Sequence, residues 1–232
     1  MASEHHISHQ FDAELEAIKS RVLAMGGIVE RQIEDAVVAI IDADSQRAEE
    51  VVAREKQVNG LEVAVDDEAT KILVKRQPAA SDLRLVLIIT KAVRDLERIG
   101  DEAKKIAKAA RRLHSAETPF VPRVGLTQAV ELALELLRAS LDAFARVNPE
   151  GIEDLRRKDA EIDAGFKGVM RQLITYMMED PRTISSCLEM LFIAKAIERV
   201  GDHAMNIAEH VVFVARGEDV RFEKSQAQLG RG

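Results

Sequence analysis

The sequence predicts an all-α fold built as two tandem, duplicated, antiparallel three-helix bundles. Three observations carry that prediction. Aromatic residues make up only 3% of the 232 residues, while Leu, Ala, Glu, Arg, Val and Ile dominate, a helix-forming composition rather than a sheet-forming one. Apolar residues recur at helical spacing over long stretches. Finally, Glu97-Arg98-Ile99-Gly100-Asp101 returns 101 residues later as Glu198-Arg199-Val200-Gly201-Asp202, each copy late in a long helical pattern.

The first predicted helix covers Phe11 to Asp42, with Leu15, Ile18, Val22, Met25, Val29, Ile33, Val37 and Ile40 along one face. Asp44 and Ser45 offer an N-cap for a second, which runs to Arg76 and stops at Gln77-Pro78. Ser81 or Asp82 caps a third, ending near His114. Pro119 and Pro122 mark a linker over 115–124. The plan then repeats. Gly125 to Val147 closes at Asn148-Pro149, Glu150 to Glu179 closes at Asp180-Pro181, and Thr183 or Ser185 caps a last helix that ends near Ala215 before Gly217. The expected units are therefore 11–114, a linker, 125–216 and a polar tail at 217–232. Pro78 and Pro181 lie 103 residues apart, and Glu55-x-x-x-Asn59 lies 104 before Asp159-x-x-x-Asp163, so the offsets fit a duplication with small loop changes.

Composition excludes several functions. A net charge of −7 makes the chain a poor non-specific nucleic-acid binder. The longest apolar run, Leu85 to Ile89, is far short of the ~20 residues that span a bilayer, and Met1 to Gln10 has no apolar signal region. Cys187 stands alone, so no intrachain disulfide forms. A soluble, cytoplasmic protein is expected. No phosphate-cradling glycine loop, Cys/His zinc pattern or Ser/His/Asp order is present.

The chemistry concentrates in the repeated motif. Each copy stacks Glu and Asp four residues apart on one helix face, where like charges repel by a few tenths of a kcal/mol unless a cation intervenes. Each also places Gly inside a helix, at about 1 kcal/mol relative to Ala. On the third helix, Leu85, Ile89, Ala92, Leu96, Ile99, Ala103, Ala107 and Ala110 form an apolar arc, and Glu97 and Asp101 fall outside it. A single such pair would read as a solvated face with ion pairs; its repetition favours a site. The preceding helices supply further oxygens, Glu55, Asn59, Glu62 and Asp66 in the first half and Asp159 and Asp163 in the second. Antiparallel packing would set these beside the motifs. Oxygen donors without a His/Cys set favour iron, manganese, magnesium or calcium over zinc. A di-iron oxidase would need Glu-x-x-His on two helices, and no Glu here is followed by His at that spacing.

Other features have plainer readings. His5, His6 and His9 form a cluster near the N-terminus, and His203 and His210 are read as ordinary helical residues. Met170, Met177, Met178, Met190 and Met205 are expected to fill the second core. Lys104, Lys105, Lys108, Arg111 and Arg112 give the third helix a basic end, as its C-terminal dipole favours.

Arg76-Gln77-Pro78-Ala79-Ala80-Ser81-Asp82-Leu83-Arg84 and Leu96-Glu97-Arg98-Ile99-Gly100-Asp101-Glu102-Ala103 resemble the first half of the PhoU family. The run from Gln172 to Ile184 and Ile197-Glu198-Arg199-Val200-Gly201-Asp202 resemble the second, so the resemblance extends from about Phe11 to Gly217. It implies multinuclear iron or zinc, or other divalent cations, at Glu97/Asp101, Glu198/Asp202 and Asp159/Asp163. Glu55-x-x-x-Asn59 departs from the acidic pattern by one amide. It also implies a non-enzymatic negative regulator of the phosphate-starvation response and of phosphate uptake. Such an adaptor would link the ATPase of a phosphate ABC transporter to a membrane sensor histidine kinase, as a homodimer that meets the membrane only through its partners. A metal-storage or redox bundle is the alternative.

Overall fold

Helix occupies nearly all of the described backbone. The computed structural model describes residues 2–78, 80–115 and 121–216, with side chains from residue 10 onward except that of Ala80. The order is α1 (Ala2–Ile41), α2 (Ser45–Arg76), α3 (Ala80–His114), α4 (Leu126–Arg146), α5 (Ile152–Glu179), a 3-10 turn at Pro181–Thr183, and α6 (Ile184–Arg216). All six expected helices are present, and no strand occurs among the described residues. The side chains of His5, His6 and His9, linker residues 116–120 and the expected tail at 217–232 lie outside the described residues.

Helix ends follow local chemistry, with some corrections to the expected boundaries. α1 starts at Ala2 rather than Phe11, in a stretch that carries no Pro or Gly to stop it. At α2 the Asp44 carboxylate accepts from the Arg47 N–H at 2.9 Å, the anticipated cap. Gln77 then takes a left-handed conformation (φ 47°) and donates its N–H to the Leu73 carbonyl ahead of Pro78. α3 is already helical at Ala80, ahead of Ser81 and Asp82. Gly151, at φ 80°, sets α5 to begin at Ile152 rather than Glu150. The expected Thr183 cap instead ends a 3-10 turn, its hydroxyl donating to the carbonyls of Tyr176 and Asp180.

α3 and α6 are the central helices: each packs on both partners of its own half, and the two run against each other. Contacts between Lys91 and Phe213, Asp95 and Asn206, and Arg112 and Glu189 show that they are antiparallel. The predicted α3 arc from Ile89 to Ala110 is buried as expected, and Leu85 is partly buried. Buried residues of both halves, such as Met25, Val58, Leu96, Leu137, Ile162 and Val200, join one continuous core. Where α1 meets α4, a Cβ on Gly26 would lie 2.6 Å from Leu141 Cδ1, so the Leu141 side chain packs on the bare backbone of α1 there. Met190 and Met205 fill the core as predicted. Met178 does not: at the last turn of α5 it is 80% exposed.

Candidate functional site

Antiparallel packing of α2 on α3 brings the first-half carboxylates together. Lys104 of α3 bonds the Glu55 carboxylate of α2, and its ammonium lies 3.7 Å from Asp101 Oδ1. Glu97 sits one turn away, half-buried, with Arg98 at 3.7 Å. Burial, and then the charges of Asp101 and Glu62, push the Glu97 carboxyl above its usual range. Glu62 is raised in the same way, by burial and then by Asp66. Asn59, one turn after Glu55 on the same face of α2, is exposed and makes no hydrogen bond among the described residues.

The second half repeats the arrangement between α5 and α6. Lys195 holds the Glu198 carboxylate. The Asp202 carboxyl is pushed up by burial, then by Glu198 and Asp163, so Asp163 of α5 faces the motif as the spacing required. Asp159 Oδ1 lies 3.7 Å from where a Cβ on Gly201 would stand. Both motif glycines admit a neighbouring helix's side chains. A Cβ on Gly201 would approach Ile162 Cδ1 to 3.0 Å, and one on Gly100 would approach Gln32 Oε1 to 3.3 Å and Val58 Cγ1 to 3.4 Å.

In each half a lysine ammonium meets one member of the stacked pair, Lys104 near Asp101 and Lys195 at Glu198. Among the described residues, no group of three or more His, Cys, Asp or Glu side chains is disposed as a metal cage. The donor chemistry still fits a hard cation. Glu62, Glu97 and Asp202 all carry carboxyls raised first by burial and then by neighbouring carboxylates, so each half gathers acidic oxygens close enough to repel one another.

Sequence reasoning missed a polar cluster between the halves. Asp95 of α3 accepts from His203 Nδ1 at 3.0 Å, Asn206 Nδ2 at 3.2 Å and His210 Nε2 at 2.9 Å, all on α6. Burial alone would raise this carboxyl, but the bonds from His203, His210 and Asn206 outweigh it and bring it to about 2. The legible signal was the i, i+3, i+7 spacing of His203, Asn206 and His210, which sets three polar side chains on one face of α6. Nearby, buried Glu102 of α3 meets Lys105 at 2.8 Å and Arg199 of α6 at 3.5 Å. These groups, with Arg98, Asp159, Asp202 and His203, line an open groove of about 530 Å³.

The sequence matches the PhoU domain family over residues 22–110 and 126–211, one match in each half. The chain belongs to the PhoU family. It is 48% identical to the "Phosphate-specific transport system accessory protein PhoU homolog" of Pseudomonas putida over 219 residues, 94% of this chain and 85% of that protein. To the PhoU accessory protein of Escherichia coli (strain K12) it is 45% identical over 217 residues, 93% of this chain and 89% of the other. The crystal structure of PhoU from Pseudomonas aeruginosa superposes with a TM-score of 0.85 at 45% identity, covering 90% of this chain and 100% of that one. A PhoU structure from Streptococcus pneumoniae gives 0.83 at 28% identity, covering 90% and 98%. PhoU proteins are regulatory accessory proteins rather than enzymes, and the helical-bundle class expected from the sequence is the class of these structures.

Proposed function

We propose that this chain regulates phosphate transport as an accessory protein of a phosphate-specific ABC transporter, and represses the phosphate-starvation response when phosphate is plentiful. The observation that supports this is likeness over nearly the whole chain, in sequence and in fold, to PhoU proteins, named as accessory proteins of phosphate-specific transport systems. In this reading the chain is a cytoplasmic, homodimeric adaptor between the transporter ATPase and a sensor histidine kinase. No described helix is long and apolar enough to cross a membrane, so membrane contact would come through those partners.

The proposal extends to a divalent metal, iron or zinc first, at the repeated carboxylates. Glu97 and Asp101 with Glu55, Asn59 and the neighbouring Glu62, and Glu198 and Asp202 with Asp159 and Asp163, would hold it. The bound ion would neutralise the clustered charge and stiffen α2 on α3 and α5 on α6, with Lys104 and Lys195 released from Glu55 and Glu198.

Deleting the gene and following phosphate uptake together with a phosphate-starvation reporter tests the regulatory role. Derepression at high phosphate, reversed by the intact gene, is expected; unchanged uptake and reporter would overturn it. Metal is tested by elemental analysis of untagged protein beside a Glu97→Ala/Asp101→Ala/Glu198→Ala/Asp202→Ala variant. Equal metal in both would remove the motifs as the site.

A further inference from the structure

The basic end of α3 opens onto a cavity of about 420 Å³ whose described lining is Ser45, Lys108, Arg111, Arg112, His114 and Ser115. No Asp or Glu is among those lining residues, in a chain of net charge −7. We propose that this cavity is a binding site for a small multivalent oxyanion of the phosphate type.

The helix dipole of α3 favours cations at its C-terminus, which by itself could account for the charge. The internal duplication tests that account. At the motif's own offset of 101 residues, Lys108, Arg111 and Arg112 correspond to Glu209, Val212 and Phe213 on α6. The last turn of α6 holds a single basic residue, Arg216. The duplicated helix ends without a basic cluster, so finishing such a helix does not require one.

The cluster also faces the wrong helix end for simple compensation. Ser45 is the first residue of α2, whose N-terminus carries partial positive charge and whose first turn has no acidic residue. Asp44 caps the Arg47 N–H, while the N–H groups of Ser45 and Gln46 have no acceptor within the helix. Existing carboxylates use only part of the charge. Arg112 is held by Glu189 through two bonds of 2.7 Å, and Arg111 reaches Glu49 at 3.4 Å. The His114 ring is fixed by its Nε2 bond to the Ile40 carbonyl at 2.8 Å. Lys108 has no carboxylate partner among the described residues. Ammonium, guanidinium and hydroxyl groups therefore line one cavity beside the N-terminus of α2, the donor set that a compact dianion satisfies.

The site is separate from the carboxylate motifs and stands whether or not those hold metal. The test uses the full chain stripped of divalent metal, titrated with inorganic phosphate by calorimetry and by backbone amide NMR. Expected are saturable binding with shifts at the Ser45 and Gln46 amides, and at least tenfold weaker binding in Lys108→Ala/Arg111→Ala. Both residues are exposed, so the variant keeps its fold, as its Tm will show. Lys71→Ala/Lys75→Ala removes the same charge at the far end of α2 and should bind as the parent does. Phenyl phosphate separates the sources of the anion: its exclusion marks a free ion, and equal binding marks a phosphoryl group carried on a larger molecule. Absence of saturable binding, or equal binding by the cavity variant, would overturn the proposal.

Discussion

Asp95 Oδ2 on α3 lies 2.9 Å from His210 Nε2 on α6, which places a carboxylate of the first half under the control of the second. With His203 and Asn206 the same carboxylate collects three donors across the seam between the two central helices. Asp95→Ala would strand those donors in a largely buried setting, and we expect a loss of about 3 kcal/mol in unfolding free energy. Denaturant unfolding measures it, and an unchanged midpoint would show that water replaces the carboxylate at no cost.

The same group predicts an acid limb. Its folded carboxyl is held at about 2, below the ordinary value of 3.8. A depressed carboxyl contributes stability above its unfolded value, and that contribution is lost as pH falls from about 4 to about 2. The amount is ~2 kcal/mol. Thermal unfolding across that window should fall more steeply for the parent than for Asp95→Asn, and parallel curves would refute the assignment.

Glu97 predicts the opposite sign. Burial, then Asp101 and Glu62, raise its folded carboxyl, so ionisation opposes folding once pH rises past the ordinary value of 4.5. Glu97→Gln in metal-free protein should gain a few tenths of a kcal/mol at neutral pH. It should also lose any Tm increase that added divalent metal gives the parent. A metal-induced increase that survives in the variant would place binding elsewhere.

Two adjacent glycines on α1 should respond oppositely to Ala. Nothing lies within 4 Å of a Cβ on Gly27, so Gly27→Ala should stabilise by about 1 kcal/mol through helix propensity. Gly26→Ala would put its methyl 2.6 Å from Leu141 Cδ1 and force that buried side chain out of its packed position, for a net loss of about 1 kcal/mol. Paired Tm measurements decide it; equal shifts would mean that Leu141 moves aside freely.

Much of the fold was legible because long amphipathic helices state their own periodicity. Ile89, Ala92, Leu96 and Ile99 repeat at helical spacing, and all four are fully buried. The second-half carboxylates were legible for the same reason: one register places Glu198 beside Asp202, and antiparallel packing supplies Asp163. Gly100 and Gly201 were visible as costs in the sequence, but what they admit, Gln32 and Ile162, was not. Met178 misled because a methionine at helical spacing reads as core, whereas at the end of α5 it stands beyond the packed face.

The sequence by itself determined six helices, the duplication and the stacking of each Glu–Asp pair, because these depend on residues within a turn or two of one another. Only the tertiary structure decided which cations meet those pairs and what joins the halves. Lys104 reaches Glu55 from 49 residues away, and His210 reaches Asp95 from 115. Helical periodicity tells which side of a helix a residue occupies; which charge faces it is set by the rotation and axial offset of another helix, and those are fixed by the packing of the whole core.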